Sequence, residues 1–128
     1  MNLRPYLMFP GNCREALEFY VRCLNGTIET IQTVAESPLD WSAEHSDRIF
    51  NSVFAAGNVR FMASDSEPGK DLRPGENFAL FVSFPDAARQ EHVYSELSRG
   101  GMVIMPLQGG FGMVEDPYQV RWMLALEG

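Results

Sequence analysis

The two halves of the 128-residue chain repeat one pattern of elements. Each half predicts a strand, a helix and three further strands, a βαβββ module. The Phe-Pro dipeptides at 9–10 and 84–85 both end a predicted first strand just before a helix. The predicted last strands also correspond, with NVRFM at 58–62 and QVRWM at 119–123. This correspondence indicates a duplicated module, and two long copies are not the many short repeats of a solenoid.

The first module is predicted over 1–66. Apolar and alternating runs predict strands over 3–9, 27–34, 49–57 and 58–65, and a stripe of helical period predicts a helix over 13–24. Asn12 is the expected N-cap of this helix, with Glu15 completing a capping box, and Asn25-Gly26 is the expected left-handed stop. The polar segment 35–47 predicts a loop.

The second module is predicted over 77–128, after a linker at 67–76 that is rich in Pro, Gly and charge. Its predicted strands are 77–84, 102–108, 111–116 and 119–126, with a helix capped by Asp86 and running to about Ser98. The expected fold class is therefore α+β. Two such modules are expected to form a curved mixed sheet around a central cavity, with the helices outside.

Charge and composition exclude several classes of function. The net charge of −7 argues against a protein that neutralises nucleic-acid phosphates. The sequence has no apolar run long enough for a membrane span and no signal-peptide pattern at its N-terminus, so a cytoplasmic location is expected. Cys13 and Cys23 are predicted on one helix roughly 15 Å apart, too far for a disulfide, and they do not form a CxxC metal pair.

Several longer motifs carry a family resemblance. PYLMFPGNCREALEFYVRCLNG (5–26), GENFALFVSF (75–84) and FGMVEDPYQVRWM (111–123) resemble the PhnB-like branch of the vicinal-oxygen-chelate superfamily, which includes glyoxalase I, extradiol dioxygenases and bleomycin-resistance proteins. The resemblance implies the two-module fold, a small-molecule site and a homodimer. A methyltransferase label is sometimes attached to this branch, but the sequence has no glycine-rich nucleotide loop after a strand to support it.

The resemblance also predicts where a metal would bind. In metal-using relatives, His, Gln or Glu ligands come from the first and last strand of each module. The corresponding positions here are near Pro5, Met62, Asn77 and Met123. Proline has no side-chain donor, one amide is a weak ligand, and thioethers favour soft ions over hard or borderline divalent cations. We therefore expect no metal and no other cofactor.

Strand alternation suggests which residues line the cavity. It places Arg60 with Met62, and Arg121 with Met123, on the faces expected to point inward. One interpretation is a partly apolar pocket whose arginines bind an anionic ligand. The other is that both arginines pair with Glu or Asp while the methionines fill space. Asn77, Phe81 and Ser83 are expected to share one face of the predicted strand 77–84. Trp41, in the 35–47 loop, is interpreted either as a lid aromatic or as part of a dimer contact. The complete set of pocket candidates is Trp41, Arg60, Met62, Asn77, Phe81, Arg121 and Met123.

The remaining polar residues offer no catalytic arrangement. His45 and His92 are expected to be solvated, and Asp116-Pro117 is interpreted as a turn. Glu115 is the acid expected to face inward, and no catalytic residue is assigned. The leading hypothesis is a metal-independent small-molecule-binding protein. The alternatives are a divalent-metal-dependent lyase, isomerase or dioxygenase, and a regulatory or assembly module whose hollow is filled by side chains.

Overall fold

Each half of the chain folds as a strand, a helix and three further strands. The computed structural model describes residues 1–128, which form two compact units, 1–72 and 73–128. The first unit contains β1 (Tyr6–Phe9), α1 (Cys13–Leu24), β2 (Thr27–Thr33), β3 (Ile49–Ala56) and β4 (Val59–Asp65). The second contains β5 (Leu80–Phe84), α2 (Ala87–Ser98), β6 (Met102–Gln108), β7 (Phe111–Glu115) and β8 (Arg121–Leu126). No helix is both long and apolar enough to cross a membrane.

Both sheets have the same topology. The strand orders are β1-β4-β3-β2 and β5-β8-β7-β6. In each sheet the first strand runs parallel to the last, and the other neighbours are antiparallel. The predicted α+β class and the predicted repeat of a βαβββ module are therefore confirmed. The relative placement of the modules around a central cavity stays a prediction.

The core of the first unit lies between α1 and one face of its sheet. The helix buries a stripe formed by Cys13, Ala16, Leu17, Tyr20, Cys23 and Leu24. The Tyr20 ring meets Phe54 and Phe61 edge-on, and the two phenylalanine rings stack with their centroids 4.8 Å apart. Burial of each such ring contributes about 2–3 kcal/mol, so this cluster holds the helix on the sheet.

α1 begins directly after Asn12 as predicted, but its N-terminus is capped from a distant strand rather than by the Asn12 side chain. The Asn12 side chain makes no capping hydrogen bond. Oδ1 of buried Asp65 instead accepts from the backbone N–H of Cys13 at 2.9 Å, and its Oδ2 accepts from that of Ile49 at 2.8 Å. One carboxylate thus ties together the helix start, the end of β4 and the start of β3. The left-handed stop at Asn25 is confirmed by its φ of 53°.

The core of the second unit lies between α2 and its sheet. Asp86 caps this helix as predicted, accepting from the N–H of Ala88 at 3.0 Å. Gln90 is buried and donates from Nε2 to the carbonyls of Gly110 at 2.9 Å and Leu124 at 3.2 Å. These two hydrogen bonds give the buried amide the partners that water would otherwise supply, as a buried polar group requires. Val93, Leu97, Val114, Trp122 and Leu124 complete the core.

Three predicted strands are shorter at their N-termini than expected. β1 begins at Tyr6 rather than residue 3, β5 at Leu80 rather than Asn77, and β8 at Arg121 rather than Gln119. Leu80 lies opposite Trp122, near the start of β8, so earlier residues have little of that strand left to pair with. Gln119 has a φ of 68°, which breaks the extended backbone before β8. Segment 35–47 is irregular as predicted, apart from 3₁₀ turns at Val34–Glu36 and Ala43–His45.

Candidate binding faces of the two sheets

Each sheet has one face covered by its helix and one opposite it, which we term the helix-free face. In β4, Phe61 and Ala63 are buried toward α1, whereas Arg60 and Met62 alternate to the other side. In β8, Trp122 and Leu124 are fully buried while Arg121 and Met123 remain partly exposed. The predicted division of both strands into two faces is confirmed.

The helix-free face of the first sheet is mixed in character. Met62 lies between Tyr6 of β1 and Val53 of β3 in the strand register. Tyr6 is 43% exposed, and Met8, two residues along β1, is also exposed. The face therefore combines a phenol with apolar side chains, bordered by Arg60.

The helix-free face of the second sheet carries a row of large apolar side chains across all four strands. Phe81 of β5 lies opposite Met123, Met123 opposite Met113, and Met113 opposite Met105. Phe81 is 62% exposed and Met105 is also exposed. Because methionine is flexible and polarizable, this methionine row can adapt to ligands of irregular shape.

The residues at the expected metal positions do not suit a divalent metal ion. Met62 and Met123 lie on the last strands as expected, and their partners on the first strands are Tyr6 and Phe81. Two thioethers, a phenol and a phenyl ring lack the carboxylate and imidazole donors that such ions prefer. No group of three or more His, Cys, Asp or Glu side chains is placed to hold a metal ion.

Both candidate arginines are ion-paired. Arg60 of β4 forms a two-pronged pair with Glu29 of β2, with its Nη1 3.3 Å from Oε2 and its Nη2 bonded to Oε1. Arg121 places Nε 3.1 Å from Oε1 of Glu115 and Nη2 3.5 Å from Oε1 of Glu76. Both arginines therefore pair with acidic residues, as the second interpretation expected of them. Whether this face binds a ligand stays a prediction.

The acids of the 115–120 turn divide into a structural and a surface residue. Asp116 is buried, and its Oδ1 accepts from the backbone N–H groups of Tyr118 at 2.8 Å and Val120 at 3.1 Å. The predicted turn role of Asp116 is thus confirmed. Glu115 lies opposite Arg121 in the register, on the helix-free face, where it balances the arginine charge.

The other candidates lie away from these strands. Asn77 is exposed in a bend before β5, so the prediction that it shares a strand face with Phe81 was wrong. Trp41 is half-buried in the irregular stretch between the two 3₁₀ turns. His92 is exposed on α2. His45 places its Nε2 3.3 Å from Oε1 of the neighbouring Glu44. Neither histidine joins a catalytic arrangement.

A separate polar cleft of about 410 Å³ lies at the N-terminus of α1. Its lining includes Arg14, Asp47, Arg48 and Asp65 but none of the predicted pocket residues. Arg48 donates to the carbonyl of Ser66 at 3.0 Å, and Asp65 is used by two backbone N–H groups. These contacts stabilise the fold, and the lining of the cleft is more polar than that of a typical small-molecule site.

Cys13 is unsuited to nucleophilic chemistry. Burial, reinforced by the negative charge of Asp65, raises the pKa of its thiol well above the ordinary value. Since the thiolate is the reactive form, Cys13 is an inert core residue.

Sequence reasoning missed several residues of the two faces. Met105 and Met113 complete the methionine row, and Tyr6 lies beside Met62. Alternation within FGMVE contained the signal for Met113, which stands between buried Gly112 and Val114. The specific ion-pair partners Glu29 and Glu76 gave no local signal, because each is distant in sequence from its arginine.

Comparison with known proteins agrees with this architecture. The sequence model of the family described as 3-demethylubiquinone-9 3-methyltransferase matches residues 1–125. The chain belongs to this family. It is 32% identical to protein PA1353 from Pseudomonas aeruginosa, whose crystal structure superposes with a TM-score of 0.86 over 99% of this chain and 98% of that one. Protein YjdN of Escherichia coli is 27% identical over 140 residues, covering 97% of this chain and 94% of YjdN.

More distant structures share the fold. A Bacillus cereus protein described as a putative 3-demethylubiquinone-9 3-methyltransferase, PhnB protein, is 24% identical with a TM-score of 0.78, covering 99% of this chain and 100% of that one. The fosfomycin resistance protein FosX from Listeria monocytogenes is 9% identical with a TM-score of 0.69, covering 100% of this chain and 92% of that one. At these identities the likeness concerns the fold. The family match thus supports the resemblance recognised from the sequence, and the two-module fold that the resemblance implied is confirmed.

Proposed function

We propose that this member of the family is a metal-independent, small-molecule-binding protein of glyoxalase/bleomycin-resistance fold. The observation that carries the proposal is the methionine row with exposed Phe81 at its end, on a sheet face that the unit's own helix leaves uncovered. As part of the same proposal, the protein is a cytoplasmic homodimer.

The physical basis is the free energy gained when this apolar row is covered. Burial of apolar surface contributes about 25 cal/mol per Å², so covering about 100 Å² contributes roughly 2.5 kcal/mol. Flexible methionines allow several ligand shapes to gain this energy, whereas Phe81 offers a flat surface for stacking. A ligand with an aromatic or aliphatic body fits this chemistry best.

The side chains of Tyr6, Met62, Phe81 and Met123 support metal independence. None supplies a carboxylate or an imidazole, the ligands that hard and borderline divalent ions prefer. The family's description names a methyltransferase, but none of the residues on these faces identifies a methyl-donor site.

A matched pair of phenylalanines tests the binding face. Phe78 and Phe81 are 61% and 62% exposed and lie three residues apart, but only Phe81 pairs with Met123. The neutral fluorescent probe N-phenyl-1-naphthylamine is titrated into the wild-type protein, Phe81→Ala and Phe78→Ala. We expect Phe81→Ala to weaken binding about five- to tenfold and Phe78→Ala to change it less than twofold. Equal effects, or no probe binding, would overturn the assignment of this face.

Metal content and assembly are measured on the same preparation. Protein purified without chelator is expected to contain no stoichiometric Zn, Ni, Mn or Fe by elemental analysis. Stoichiometric metal would favour the alternative, a metal-dependent lyase, isomerase or dioxygenase. Sedimentation equilibrium is expected to give twice the mass of the 14.4 kDa chain, and a monomer at micromolar concentration would contradict the dimer.

A further inference from the structure

The two acidic partners of Arg121 hold it in different ways. Glu115 lies opposite it in the β7–β8 register and contacts Nε at 3.1 Å. Glu76 reaches Nη2 at 3.5 Å from the irregular segment before β5. Its side chain is 85% exposed, whereas that of Arg121 is 14% exposed. The pair with Glu115 is therefore built into the sheet, while the contact with Glu76 is long, solvated and easily exchanged.

Arg121 also adjoins the methionine row. It lies two residues before Met123 on the same face of β8, and two residues of strand span about 7 Å. Phe81 lies beside Met123 on the neighbouring strand β5. A single small molecule can thus contact the guanidinium and the methionine row together.

From these contacts we infer that Glu76 occupies the anion-binding position of Arg121, and that the ligand of this face is an organic acid with an apolar body that displaces it. This inference rests on the proposed function and names the chemical class of its ligand. The exchange replaces one carboxylate by another acidic group, so the charge around Arg121 is unchanged. The planar guanidinium suits such a group, and the released Glu76 becomes solvated at little cost.

Two probes with the same aromatic body distinguish the contribution of the acidic group to binding affinity from that of the apolar body. 8-Anilinonaphthalene-1-sulfonate is an anion, and N-phenyl-1-naphthylamine lacks its sulfonate. We expect Glu76→Gln to tighten binding of the anionic probe three- to tenfold, because the competing carboxylate is removed, and to change binding of the neutral probe less than twofold. In an Arg121→Gln or Arg121→Lys background, the Glu76→Gln effect is expected to disappear or to shrink respectively.

Glu91→Gln is the matched control, because it removes one negative charge from an exposed position on α2. It should leave the affinity for both probes unchanged. If Glu91→Gln and Glu76→Gln raise the affinity for the anionic probe equally, the effect is one of net charge and the inference is overturned. An unchanged affinity of Glu76→Gln for the anionic probe would also overturn it. If the neutral probe still binds through Phe81 in that case, the proposed function survives and only the ligand class falls. If neither probe binds the wild-type protein, both proposals fall.

Discussion

Trp122 donates a hydrogen bond from its indole Nε1 to Oδ2 of Asp116 at 2.9 Å, deep in the core of the second unit. Both residues are almost completely buried. The other carboxylate oxygen of Asp116 binds the backbone N–H groups of Tyr118 and Val120. Asp116 therefore fixes the turn between β7 and β8 and also anchors Trp122, the largest side chain of the core.

Asp116→Ala is expected to lower the free energy of unfolding by about 2–4 kcal/mol, because it leaves an indole and two backbone donors without their acceptor. Urea denaturation followed by tryptophan fluorescence measures the change. Exposed Asp71 provides a control, and Asp71→Ala should change stability by less than about 0.5 kcal/mol. Similar values for both variants would contradict the anchoring role of Asp116.

The start of α1 provides a direct test of long-range capping. Asp65→Ala is expected to cost about 2–4 kcal/mol, because the buried N–H groups of Cys13 and Ile49 lose their shared acceptor. Asn12→Ala should cost less than about 0.5 kcal/mol, since the Asn12 side chain makes no capping bond. Thermal or urea unfolding of both variants provides the measurement. The reverse order of stability would restore the local capping box.

The contrast between the predicted cap at Asn12 and the observed cap from Asp65 shows which features could be predicted from the sequence. An Asp N-cap, a left-handed stop or an Asp-Pro turn depends on neighbours a few residues away, so Asp86, Asn25 and Asp116 were predicted correctly. Asp65 caps a helix 52 positions earlier in the chain, and only the parallel pairing of β1 with β4 brings it there. Local patterns carry no information on such a contact.

The candidate site divides in the same way. Alternation predicted the faces of Arg121 and Met123, and the internal repeat identified Met62 as the counterpart of Met123. The charge state of that face depends on Glu76, which comes from a Pro- and Gly-rich segment with no periodicity. Met105 needed the register between β6 and β7, which contains irregularities that sequence does not specify. The side-chain types of the site were thus predictable, and its electrostatics were not.

Gly112 lies where β7 passes under α2. A Cβ at this position would meet the Tyr94 ring at 2.8 Å and the Leu107 backbone at 3.1 Å. Gly112→Ala is therefore expected to destabilise the protein by about 1–3 kcal/mol through overpacking. Gly75→Ala is the control, since its Cβ would meet only a side-chain atom of Asn77 at 3.3 Å. Thermal unfolding should show a clear loss of Tm for the first variant and almost none for the second.

Cys13 should make stability depend on alkaline pH. Burial, followed by the charge of Asp65, raises the pKa of its thiol in the folded protein above the ordinary value of 9.0. The folded state therefore keeps its proton while the unfolded state ionises. The stabilising contribution is fully present below the unfolded pKa and is lost progressively as pH rises from it toward the folded pKa. With an unfolded pKa of 9.0, the loss between pH 8 and 10 is about 1.4 kcal/mol.

The measurement compares urea unfolding of the wild-type protein and Cys13→Ala at several pH values between 7.5 and 10, with Cys23→Ala as a cysteine control. Other groups titrate in all three proteins, so the difference in slope isolates Cys13. We expect the stability of Cys13→Ala to fall less steeply with pH than that of the wild-type protein. Parallel slopes would contradict the raised pKa. Rapid reaction of Cys13 with a thiol reagent in the folded protein at pH 8 would do the same, because a buried neutral thiol should react only after unfolding.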